Sequence, residues 1–253
     1  MRRYLAVPHP ADHDGVRLLC FHHAGAGALS FAGWQRRMGD RVRVLPVRLP
    51  GRETRLREPG VTDGGALVAE LESELGPLLR EPHAFYGHSL GALVAYRFAL
   101  HRARAGLRPP SVLLAGACNA PHTPASLLAG LDPERAPDDE LLRAANEAAP
   151  LPGPLLRHRA RLGALLTALR ADLRLARSLR AAPVAPLPCP VEAFAGRQDA
   201  MVPAHEMWAW RDCTSAGFRL RTGPGAHFFV RGPELPHIVR ESLSSAAALP
   251  AGR

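Results

Sequence analysis

Gly87-His88-Ser89-Leu90-Gly91 narrows the possible folds more than any other stretch of this chain. It follows a strand pattern over 83–87 and opens an amphipathic helix pattern over 90–101. A chain passing from strand to helix across one serine turns so sharply that the serine takes a strained backbone. Side chains at the flanking glycine positions would collide. Such a corner belongs to a parallel sheet with helices on its faces. It lifts the Ser89 hydroxyl above the sheet, beside a helix N-terminus whose free N–H groups favour developing negative charge. Ser89 is therefore a candidate nucleophile.

The surrounding pattern agrees. Short β-rich runs at 16–21, 42–49, 83–87, 111–117, 191–195 and 218–222 alternate with helical patterns at 29–38, 66–79, 90–101, 203–213 and 233–247. This reads as an α/β chain with a mostly parallel central sheet flanked by helices. Between 124 and 182 the rhythm breaks into a Leu-, Ala- and Arg-rich stretch, with helical patterns at 138–147 and 155–179. A helical lid subdomain is expected there, inserted within a single domain spanning 1–253. With 253 residues, 47% of them hydrophobic, the chain can bury a core.

The N-terminus lacks the apolar run of a signal peptide, and no stretch of about 18 apolar residues could span a membrane. A cytoplasmic location with no membrane partner is expected. Cys20, Cys118, Cys189 and Cys213 have neither paired nor metal-ligand spacing and read as buried hydrophobes without disulfides. The formal charge is +9, and all 32 basic residues are arginine. They form no basic arm and no aromatic-interleaved motif, which argues against nucleic acid. Attraction of an acidic protein partner or a phosphate-bearing substrate remains.

A serine hydroxyl needs a base. The setting of Ser89 resembles that of α/β-hydrolases, in which the chain order is nucleophile, acid, histidine. His227, in Gly223-Pro-Gly-Ala-His227, follows the last strand pattern and is the favoured base, ahead of His205 and His237 in helical patterns. Asp199, in Gly196-Arg-Gln-Asp199, is the favoured acid, ahead of Asp212 and Asp172. It would hold the imidazole in the tautomer that accepts the serine proton. An oxyanion hole needs two backbone donors: one from Leu90, the other from Phe21-His-His-Ala24-Gly25-Ala-Gly27, whose glycines allow close approach. The adjacent side chains of His22 and His23 diverge and find no third ligand in register, so no metal is expected.

Cys20-Phe-His-His-Ala-Gly, Leu49-Pro-Gly-Arg-Glu53 with Arg55 and Glu58-Pro59, Gly87-His-Ser-Leu-Gly91, Leu169-Arg-Ala-Asp172 and Gly225-Ala-His-Phe-Phe229 occur in that order. Together, over nearly the whole chain, they resemble the type II thioesterases that accompany polyketide synthases and nonribosomal peptide synthetases. The resemblance implies an α/β-hydrolase fold with a helical lid. It implies editing or release of acyl groups held on the phosphopantetheine arm of a carrier protein, with no cofactor of the enzyme's own. It places the nucleophile, acid and base on Ser89, Asp199 and His227, and the oxyanion donors on the backbone of Ala24 and Leu90. A carrier domain is the implied partner, and a monomer is expected.

The chain departs from that pattern at three places. His22 stands where the family has proline, with Gly25-Ala26-Gly27 in place of paired glycines. Gln198 and Ala200-Met201-Val202 surround the acid, and Arg177 and Leu179 replace a glutamate and an aromatic. An acyltransferase or small-ester hydrolase would use the same three residues, and that alternative stays open. Arg157, Arg159, Arg161, Arg170, Arg174 and Arg177 are the first candidates for a carrier-facing surface.

Overall fold

Strands buried on both faces must be covered on both faces, and that condition sets the architecture. A computed structural model describes residues 3–7, 15–125, 131–148, 150–151 and 153–247. Its strands are β1 (Val16–Phe21), β2 (Val42–Pro46), β3 (His83–His88), β4 (Leu113–Gly116), β5 (Val191–Gly196) and β6 (Phe218–Gly223). Every residue of β3, β4 and β5 is buried, whereas the edge strand β6 is only partly so. All neighbours pair in parallel, in the order β2-β1-β3-β4-β5-β6.

The helices are α1 (Trp34–Met38), α2 (Gly64–Leu75), α3 (Leu90–Arg104), α4 (Asp138–Ala148), α5 (Gly153–Leu156), α6 (Arg159–Ala181) and α7 (Glu234–Ala247). Alternate strand residues point to opposite faces. Leu19, Phe21 and Phe85 pack with Leu71 of α2 and Phe98 of α3. Leu18, Cys20 and Tyr86 pack instead with Trp34 of α1 and Val239 of α7. The chain thus leaves β1 over one face towards β2, and leaves β3 over the other face towards β4. The loops at the carboxyl ends of β1 and β3 diverge, which opens a crevice at this switch point in strand order.

Several boundaries differ from the sequence expectation for identifiable reasons. The strand expected over 42–49 ends at Pro46, and Val47 instead forms an antiparallel bridge with Leu5. The pattern at 29–38 divides into a 3₁₀ turn, Ala28–Phe31, and α1, separated by Gly33 at φ 77°. In the 66–79 pattern, Pro77 cannot continue an α-helix, and a 3₁₀ segment, Gly76–Arg80, follows α2. The helix expected over 203–213 is a 3₁₀ segment, Glu206–Cys213, whose buried residues are Met207, Trp210 and Cys213. A spacing of three matches the three residues per turn of that helix.

Between β4 and β5 lie α4, α5 and α6, and the expected continuous helix over 155–179 is interrupted before α6. His158 caps α6, its ring accepting from the Arg161 N–H at 3.3 Å. Residues 126–130, 149 and 152 of this insertion lie outside the described residues. Arginines strap its parts together. Arg170 donates to the carbonyls of Pro133 and Ala136, both at 2.8 Å. Arg174 pairs with Glu134, and Arg177 with Asp132.

Arg97 of α3 holds the exit of α6. Its guanidinium donates to the carbonyls of Leu179, Pro183 and Ala182 at 2.7, 2.6 and 2.6 Å. Hydrogen bonds from charged donors contribute about 1.5–3 kcal/mol each, and water recovers part of that when the donor is lost. Arg97→Met should therefore lower stability by about 2–4 kcal/mol in chemical denaturation. An unchanged midpoint would show that these carbonyls need no such cap.

Candidate active site

Ser89 sits where β3 becomes α3, at φ 53° and ψ −118°. A non-glycine residue holds such a backbone only when its surroundings force it. Here the Ser89 N–H donates to the Gly116 carbonyl at 2.8 Å. The helix also starts so close to the sheet that a Cβ at Gly87 would lie 2.2 Å from the Gly91 carbonyl oxygen. A Cβ at Gly91 would lie 2.1 Å from the carbonyl oxygen of Phe21, at the end of β1. One packing requirement thus explains both glycines and brings the loop after β1 to the N-terminus of α3.

His227 lies on the loop after β6, and its Nε2 is 3.3 Å from the Ser89 Oγ. Its Nδ1–H donates to Asp199 Oδ2 at 2.9 Å. The other Asp199 oxygen accepts from the N–H groups of Met201 and Val202 at 2.9 and 3.0 Å. Both Asp199 and His227 are buried. The three residues named from sequence therefore form one continuous hydrogen-bonded chain. The competing residues stand elsewhere: His205, His237 and Asp212 are exposed. Asp172 is buried against Arg52, which it meets at 2.8 Å.

His88 has a task the motif did not reveal. Fully buried, it donates from Nε2 to the His227 carbonyl at 2.7 Å and accepts the Tyr86 hydroxyl at Nδ1, 2.9 Å away. It thereby ties the loop carrying His227 to the strand that leads into Ser89.

The loop after β1 is held by its own histidines. His22 Nδ1–H donates to the His23 carbonyl at 2.9 Å, and His23 Nδ1–H to the Ala24 carbonyl at 3.1 Å. Among the described residues, the N–H groups of Ala24 and Leu90 have no intramolecular acceptor. Both residues line a cleft of about 40 Å³ beside Ser89, with Leu93, Leu173, Ala176 and Met201 as apolar walls. Cys118 lines it too, but burial pushes its thiol up to about 11. Only a thiolate is a strong nucleophile, so Ser89 has no rival there near neutral pH.

Burial also sets the charge of the neighbouring imidazoles. It lowers His22 and His23 to about 3 each, and it drives His88 well below the ordinary histidine value. The folded protein therefore binds fewer protons than the unfolded chain below about pH 6.5, where free histidine titrates. The stability from these groups is complete above that pH and is lost as pH falls towards 3. Well inside the window, each group should cost about 1.4 kcal/mol per pH unit. Denaturation midpoints should thus drop steeply between pH 6 and pH 4.5, and His22→Asn should flatten the slope. A wild-type midpoint constant across that interval would mean these histidines are protonated in the fold.

Comparison with known proteins follows the same lines. The thioesterase domain family matches residues 16–245. A protein named linear gramicidin dehydrogenase LgrE, from Brevibacillus parabrevis, is 34% identical, with 96% of this chain and 93% of that one covered. The solved structure of RedJ, a thioesterase of the prodiginine pathway in Streptomyces coelicolor, is 33% identical with a TM-score of 0.81. That alignment covers 93% of this chain and 90% of RedJ. The type II thioesterase BorB, from the borrelidin biosynthetic cluster, is 28% identical with a TM-score of 0.77, over 95% of this chain and 96% of BorB. The chain belongs to the thioesterase domain family, and its relatives include type II thioesterases of biosynthetic clusters.

Proposed function

We propose that the protein hydrolyses acyl thioesters carried on the phosphopantetheine arm of a carrier protein, with Ser89, His227 and Asp199 as its catalytic residues. The observation that carries this reading is the continuous Ser89–His227–Asp199 chain beside two backbone N–H groups without acceptors. Ser89 Oγ attacks the thioester carbonyl carbon while its proton passes to His227 Nε2. The oxygen, now negative, takes the N–H groups of Ala24 and Leu90. The C–S bond breaks, His227 returns the proton to sulfur, and the pantetheine thiol leaves. Water then attacks the acyl-serine by the same path, losing a proton to His227, and Ser89 recovers its hydrogen as the free acid departs. Asp199 keeps Nδ1 protonated throughout and stabilises the imidazolium.

In this reading α6 is the lid. Its Leu173 and Ala176 wall the cleft beside Ser89, so movement of α6 would change the space open to an acyl chain. A dehydrogenase reading fits the loop after β1 less well. Its Gly25 and Leu29 N–H groups already donate to the carboxylates of Asp172 and Glu53. A dinucleotide pyrophosphate needs such groups free and would be repelled by those charges.

The carrier-facing surface is narrower than the arginine-rich sequence suggests. Arg170, Arg174 and Arg177 are ion-paired within the insertion, which leaves Arg157, Arg159 and Arg161, exposed at the start of α6. Carrier domains commonly present acidic surface, and attraction between exposed charges is screened over about 8 Å at physiological ionic strength.

Ser89→Ala should cut turnover by about 10⁴–10⁶ with the fold intact; more than a tenth of wild-type turnover would move the nucleophile elsewhere. Reversing Arg157, Arg159 and Arg161 to glutamate should lower kcat/KM for an acyl-carrier substrate, and raised salt should shrink that loss. The acyl-N-acetylcysteamine substrate, which has no carrier, should be unaffected. Equal effects on the two substrates would remove this surface from recognition.

A further inference from the structure

We propose that Asp172 and Arg52 are positioning residues of the oxyanion hole, through which α6 fixes the backbone of Ala24, Gly25 and Ala26. The proposal rests on the thioesterase reading above. Arg52 meets Asp172 with both arms of its fork, NH2 to Oδ1 at 2.8 Å and NH1 to Oδ2 at 2.9 Å. The two are 6% and 1% exposed. Their remaining hydrogen bonds to the loop after β1 are specific. Asp172 Oδ2 accepts the Gly25 N–H at 2.8 Å, and Arg52 NH1 donates to the Ala26 carbonyl at 2.8 Å.

These contacts complete a sequence of clamped peptide planes. The His23–Ala24 peptide, which carries the Ala24 N–H, is held at its carbonyl by His22. The next peptide is held at its carbonyl by His23 and at its N–H by Asp172. Gly25 lies between the two contacts of the ion pair, at φ 70°. A glycine accepts many other backbone conformations, so without the pair it is the hinge about which the Ala24 N–H would lose its aim. A bidentate guanidinium–carboxylate pair supplies both charge and a fixed plane. An ion pair serving only to attach α6 would have no need to engage a backbone N–H and a carbonyl on either side of that hinge.

The test compares Asp172→Asn and Arg52→Lys with wild type on an acyl-N-acetylcysteamine thioester, with rates taken per site titrated by a fluorophosphonate. Removing an entire oxyanion donor costs about 10²–10³ in kcat; loosening one should cost about 10–100-fold. KM should stay within about threefold, and the pH midpoint should not move. The Ki of a trifluoromethyl ketone, which forms a tetrahedral adduct on Ser89, should rise in step with the loss in kcat/KM. Asp172→Glu, which keeps the charge, should recover part of the rate. Unchanged kcat and Ki per titrated site, or an effect confined to KM, would reduce the pair to a structural tie. Should Asp172→Asn not fold, Arg52→Lys decides alone, because it keeps the charge pair and loses the fork. Failure of the underlying reading would appear separately, as wild-type protein that cleaves no thioester or as undiminished hydrolysis by Ser89→Ala.

Discussion

Everything near the site depends on how closely α3 begins above the ends of β1 and β3. The turn at Ser89 is possible only because Gly87 and Gly91 leave the helix start nothing to collide with. The same approach sets the N-terminus of α3 against the loop after β1, so Ser89 and the N–H groups of Ala24 and Leu90 are brought together by one packing contact. Among the described residues, non-glycine backbone at positive φ occurs at Glu53, Ser89 and Ala117. Ser89 and Ala117 line the cleft, and Glu53 accepts the Leu29 N–H of the β1 loop. Strain of roughly 1–3 kcal/mol per residue persists only where surrounding structure over-determines it. For Ser89 and Ala117 that structure is the buried centre of the sheet, β3 to β5.

The arginines explain how the rest is held without many side-chain hydrogen-bond donors of other kinds. Arg52, Arg97 and Arg102 are buried, and each reaches backbone carbonyls as well as any carboxylate it meets. Arg180 joins the two ends of the insertion by donating to the carbonyls of Ala120, Thr123 and Asn119. A planar fork with five donors suits places where loop carbonyls converge, and lysine would satisfy only part of each set. Part of the chain's arginine content therefore serves inside the fold, where Arg17, Arg48, Arg52, Arg55, Arg97 and Arg102 are buried.

Strands were legible because burial on both faces leaves continuous apolar runs, and the elbow because its glycines mark a backbone constraint. Helix interruptions were less so. Periodicity registers an apolar face and does not distinguish α from 3₁₀ geometry over two turns, as at 206–213. Asp199 and His227 could be placed by chain order after strands. Asp172 could not be assigned, since its partner Arg52 lies 120 residues away and nothing local joins them. His22 also gave no usable signal. Proline at that position would stiffen the chain covalently, whereas His22 does so by a hydrogen bond to its neighbour's carbonyl, a contact visible only in three dimensions.

The imidazoles packed near His227 raise an electrostatic question, because a charge on any of them would oppose a proton on His227. The His88 and His227 rings are centred 5.8 Å apart. Two unit charges at that separation repel by about 3 kcal/mol at an effective dielectric of 20. In the proposed reaction such repulsion would oppose an imidazolium at His227 and slow the step by about 100-fold. Burial removes the problem: His22, His23 and His88 are all driven far below neutrality, and His22 further by the Arg52 charge. Each ring then keeps one N–H donor and one lone pair. The donor of each is used to hold a loop, and the lone pairs of His22 and His23 at Nε2 remain buried without a partner. An unsatisfied acceptor costs about 1–3 kcal/mol, comparable to the repulsion avoided. The arrangement thus exchanges some fold stability for three imidazoles that stay neutral around His227, as the proposed reaction requires.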